Sequence, residues 1–70
     1  MFNQVMALLA ALQLQDFKGE IYTSLATTKA SVTILPKLPD EKITLIPAEI
    51  RAKATLITDD EDQTIITIHQ

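Results

Sequence analysis

Few groups in this chain could do chemistry. His69 is the single histidine, Tyr22 the single tyrosine, and there is no cysteine. Ser24 and Ser31 are candidate nucleophiles, and with His69 as base and an Asp to orient it they would make a hydrolytic triad. Such a base must be held in a cleft, whereas His69 is the penultimate residue, where a strand end frays. Tyr22 reads as a sheet-surface or rim residue. Asp59-Asp60-Glu61-Asp62 is the one run that could gather a cation. A calcium loop alternates its oxygen ligands, turns on a Gly and closes on a Glu. This run is contiguous, lacks a Gly, and no later Glu follows. No catalytic residue, metal site or cofactor is assigned, and an enzyme is not expected.

Whatever positions these groups has to be small. Seventy residues make one domain, 1–70, and the 47% apolar and 21% charged content is that of a folded chain. A single Gly excludes a Gly-rich phosphate cradle. The net charge of −3 comes wholly from residues 36–70, which hold seven acids and four bases. Nucleic acid is an unexpected partner for so acidic a chain, because binding it takes a basic patch. No small-molecule substrate is evident. The absence of cysteine fits a reducing compartment, so the expected location is cytoplasmic. The initial Met and the lack of a tail favour a whole small protein.

The opening stretch, Phe2 to Gln15, carries no charge and holds eight apolar residues in a row from Val5 to Leu12. At about 100° per residue, Met1, Phe2, Val5, Met6, Leu8, Leu9 and Leu12 share one arc, which predicts a helix over about 2–15. Lys18 and Gly19 supply a cation and a residue tolerant of positive φ near its end. A secretory leader would need bases before the apolar run, and a membrane span needs about 20 apolar residues. Neither pattern is present. The opposite arc, with Asn3, Ala7, Ala10, Ala11 and Leu14, is the expected interaction surface. Ala7→Glu or Ala11→Glu should then abolish association and spare the fold.

Beyond Asp16 the chain alternates like half-buried strands. Strands are expected over about 20–26, 30–35, 42–46, 49–58 and 64–69. Pro36 to Glu41 breaks the sheet, its PxxP read as a strand-ending connection, and Asp59 to Asp62 tips a hairpin. Ile65 is assigned to the exposed face or to a partner surface. Ala52 and Ala54 would let the helix approach the sheet closely. The fold class is therefore α+β: an N-terminal helix on a four- to five-stranded antiparallel sheet, which further curling would turn into a small barrel. The expected core is Phe2, Val5, Leu8, Leu9, Leu12, Ile21, Leu25, Val32, Ile34, Ile43, Leu45, Ile50, Leu56, Ile66 and Ile68.

Three functions suit such a chain. The first is a non-enzymatic protein–protein interaction module that associates with itself or with another protein and does not engage membranes. The second is an acidic inhibitor or nucleic-acid mimic that uses Asp59, Asp60, Glu61 and Asp62. The third rests on element order. A helix followed by about five strands is similar to the Sm-like layout, which would imply an RNA-binding subunit contacting RNA through Lys18, Lys29, Arg51 or Lys53.

Overall fold

The computed structural model describes residues 2–59 and 61–70; Met1, Asp60 and the Asp59 side chain, and with them half of the acidic run, lie outside the described residues. Helix α1, Phe2–Leu12, forms where the uninterrupted run of good helix formers predicts it. It ends sooner than expected. Gln13 adopts φ 53° and closes the helix, so the left-handed cap falls on a non-glycine residue. Gly19 has no positive φ, which corrects its assigned role. The Gln13 carbonyl accepts a bond from Lys42 Nζ at 3.0 Å. The cation at the negative end of the helix is therefore Lys42 and not Lys18.

Four strands, β1 (Glu20–Leu25), β2 (Lys29–Leu35), β3 (Ala54–Asp59) and β4 (Gln63–His69), form one open antiparallel sheet in the order β1-β2-β4-β3. The β1–β2 hairpin closes where the Ala26 N–H donates to the Lys29 carbonyl at 2.8 Å. Register puts Ile21, Thr23 and Leu25 of β1 beside Ile34, Val32 and Ala30 of β2. Those in turn lie beside Thr64, Ile66 and Ile68 of β4. Alternate residues share a face, so all nine point to the same side. α1 packs on β2 from that side and buries Val5, Leu8 and Leu12. Each such burial contributes roughly 1.5–3 kcal/mol.

Between β2 and β3 the structure departs from the expected strands. Residues 42–46 are not a strand: Asp40–Ile43 form a short helix, α2. Residues 49–53 belong to no strand either, since Ala48–Arg51 form α3 and β3 begins at Ala54. Both turns start just after a proline, Pro39 or Pro47, and run acid first and base last, an order that suits a helix dipole. This segment drops Leu38, Ile46 and Ile50 into the core. It is tied down where the Leu38 N–H donates to the buried Thr64 Oγ1 at 2.9 Å.

The expected core is corrected accordingly. Leu38, Ile46 and Ala30 join it, while Phe2, Ile21, Leu25, Leu45 and Leu56 stand exposed. Ala52 and Ala54 do not lie beneath the helix: Ala52 is exposed after α3, and the fully buried small residue is Ala30, on the strand that α1 covers. Ile65 is half-buried on the opposite face of the sheet.

Candidate functional site

The groups that could do chemistry fall on the face away from α1. Ser24, Ser31, Thr67 and Thr55 form one row across all four strands. Ser31 Oγ lies 3.4 Å from Thr67 Oγ1, and His69 Nε2 lies 3.2 Å from Thr55 Oγ1. The hydroxyls thus partner one another and the ring, with no serine on the ring nitrogen that is engaged. Tyr22 donates to Glu20 Oε2 at 2.6 Å. That bond, and then the carboxylate's charge, push the phenol above its ordinary value of 10.0. Among the described residues no three His, Asp or Glu side chains converge. Of the acidic run, Asp62 takes φ 59° and accepts a long bond from the Lys37 N–H. Glu61 Oε2 accepts from Gln63 Nε2.

The four bases tied to RNA sit apart. Lys18 borders a depression of about 420 Å³ with Phe17, Pro39 and Lys42. Arg51 borders a separate apolar groove of about 240 Å³ beside β3, lined by Ile43, Ile46, Ala54, Leu56 and Ile66. Its Nη2 donates to the Ile43 carbonyl at 2.7 Å, bracing α3 against α2. Lys53 lies near α1, and Lys29 opens β2. Among the described residues the sheet has four strands and is open, one strand fewer than the element order behind the Sm-like similarity.

The helix arc divides. Asn3, Ala7 and Ala10 are exposed, whereas Ala11 and Leu14 are half-buried. Ala7 borders a depression of about 400 Å³ shared with Gln4, Pro47, Glu49, Ile50 and Lys53. Ala10 and Leu14 border another, of about 370 Å³, with Met6, Leu9 and Gln15. One flank of α1 therefore looks towards α3, which packs by β3. The other flank, bearing Phe2, Met6 and Leu9, turns away from α3.

There the cover runs out. On one face of one hairpin, Ala30 and Ile34 of β2 are fully buried, yet their neighbours Leu25 and Ile21 of β1 are 52% and 39% exposed. Phe2 and Met6 are 61% and 51% exposed on the flank of the helix turned away from α3. The inner face of the edge strand thus stays open as an apolar seam beside β2, and a flank of the helix is uncovered as well. Sequence reasoning placed Phe2, Ile21 and Leu25 in the core. Alternation tells which face a residue takes, but not whether anything covers that face.

Compared with protein-family models, curated proteins and solved structures, the chain finds no match. Among the described residues, no helix is long and apolar enough to cross a membrane.

Proposed function

We propose that the chain is a small non-enzymatic interaction module that docks onto protein through the open β1 edge and the apolar seam beside it. The observation that carries this is the uncovered inner face of β1, where Ile21 and Leu25 stay exposed one strand away from fully buried neighbours. Single exposed apolar residues are ordinary, but a contiguous strip bounded by an unpaired strand edge is a surface made for pairing. The sparse, dispersed catalytic groups support the non-enzymatic part of the reading. The absence of cysteine supports a cytoplasmic setting.

The test is photo-crosslinking in cell lysate, irradiated at low and at high salt, from a reactive side chain carried at Leu25, compared with one carried at Ala7 on the helix arc. Protein adducts from position 25 that persist at high salt are expected, with few from position 7. Equal adducts from both positions, or none from position 25, would overturn the reading. Adducts that vanish with salt would favour the acidic loop instead, since screened charge pairs weaken while apolar contacts do not.

A further inference from the structure

The occupant of this edge follows from the direction of its backbone groups, and we infer that it is a second copy of the chain, paired β1 to β1 about a twofold axis centred on Thr23. This inference rests on the proposed docking role of β1 and names the partner.

The Ala26 N–H points at β2, where it meets the Lys29 carbonyl. In an antiparallel ladder the inward and outward groups alternate, so Ser24, Tyr22 and Glu20 also face β2. Ile21, Thr23 and Leu25 are left with their N–H and C=O groups aimed out of the sheet. The same three residues carry the uncovered inner-face side chains. An added antiparallel strand must bond to the outward residues, so in a second copy Ile21, Thr23 and Leu25 can pair only with one another or with residues two further on.

That restriction leaves few registers. Centring the axis on Thr23 sets Ile21 opposite Leu25 of the second copy, and Leu25 opposite its Ile21. Three mutually bonded pairs exchange about six backbone hydrogen bonds. Centring it on Tyr22 would set Leu25 opposite Gly19 and Ile21 opposite Thr23, matching neither apolar side chain. Centring it on Ser24 would push Ile21 into the Thr27 turn. The Thr23-centred register alone matches apolar to apolar throughout.

Charge agrees on the far face. In this register Glu20 falls opposite Ala26 of the second copy. Ala26 is paired with its own Lys29 in the same row, so Glu20 and the second copy's Lys29 lie two strands apart, roughly 10 Å between backbones. Both are long side chains of opposite sign on one face, and the symmetry makes the pair twice.

Area agrees as well. On β1 itself Ile21, Tyr22 and Leu25 are 39–56% exposed. Side chains of this size at such exposure offer on the order of 300 Å² per copy, before any backbone or helix side chain is counted, against about 800 Å² per partner in a standard interface. β1 also lacks the features that keep an edge single: within Glu20–Leu25 there is no Pro, no Lys and no bulge in the register. At the other edge the inner face of β3 is partly covered, because Ala54 and Leu56 line a groove shared with Ile43, Ile46 and Arg51. Two copies would form one continuous antiparallel sheet, four strands from each.

The experiment is solution mass by light scattering over a tenfold concentration range, with amide hydrogen exchange by NMR on the same samples. The native chain should reach twice the mass of one copy, and the Ile21, Thr23 and Leu25 amides should become protected as it does. Thr23→Pro removes one outward N–H and no bond to β2, so it should keep the fold and halve the mass. Leu25→Glu, which places a charge against the opposing Ile21, should do the same. A monomer at every concentration overturns the inference, as does a dimer whose three outward amides still exchange freely. The docking reading itself is judged separately, by whether crosslinks from position 25 form and outnumber those from position 7.

Discussion

A Cβ built at Gly19 would overlap the Leu35 carbonyl oxygen outright and lie 2.9 Å from Pro36 Cδ. The obstacle is backbone, which cannot swing aside as a long side chain can. Gly19→Ala should therefore cost roughly 1–3 kcal/mol, a typical overpacking penalty, and lower Tm by roughly 4–8 °C for each kcal/mol. Asn tolerates a left-handed backbone far better than Ala does. Were positive φ the reason for this glycine, Gly19→Asn would be the milder change; because close approach is the reason, it should melt no higher than Gly19→Ala. Tyr22 gives a second reading at this scale. Ionising its phenol loses the bond donated to Glu20 and sets two negative charges side by side. The pKa is raised, so the contribution of that bond is present below the ordinary value and fades as pH rises through the higher one. Ultraviolet titration of this sole tyrosine should show a midpoint above 10.0, brought down by Glu20→Gln. A native midpoint at or below the ordinary value would contradict the pairing.

Among the elements, the segment from Pro36 to Lys53 depends on few anchors, and Thr64 supplies the buried side-chain hydrogen bond. Its Oγ1 is buried and accepts the Leu38 N–H. Thr64→Val keeps the shape but strands that donor, at a cost of about 1–3 kcal/mol. Exchange of the Leu38 amide should rise in Thr64→Val and stay low in Thr64→Ser; equal exchange in both would mean that the bond does not hold the segment. This segment is also where the sequence misleads. β1, β2 and β4 were legible because β-branched residues alternate there without competing signals, and α1 because nothing in it favours a strand. Lys42 to Ile46 is a short apolar run, which periodicity cannot assign to helix or strand. Glu49 to Lys53 alternates Ile50 and Ala52 with charged residues, a spacing that one helical turn accommodates as well. The deciding signs were Pro39 and Pro47, each followed by an acid and then a base, which mark the start and end of a helical turn and not only the end of a strand. The open seam was less legible still. Ile21 and Leu25 have the pattern of core residues, and their exposure depends on α1 lying over β2, which is a property of the assembled layers.

For the molecule as a whole, size sets the problem. A chain of this length buries only about 60% of the surface it exposes when unfolded. Here one helix and two short turns cover two strands of a four-stranded sheet, and among the described residues the opposite face has no second layer. Net stabilities of small domains are a few kcal/mol, so the exposed strip along β1 and α1 is a sizeable unburied reserve. Pairing through β1 would bury it and add stability by mass action, since only the folded chain presents the matched edge. Tm should then depend on protein concentration. A tenfold increase favours the dimer by about 1.4 kcal/mol, or about 0.7 kcal/mol per chain, which should raise Tm by roughly 3–6 °C in a domain of this size. Thr23→Pro should melt at one temperature across the range, near the limit that the native chain approaches on dilution. A native Tm independent of concentration, in samples shown by mass to be dimeric at one end of the range and monomeric at the other, would mean that the copies part below the melting temperature and that pairing adds nothing there. The seam would then serve association alone, and the single copy would owe its stability entirely to the core of α1, β2 and β4.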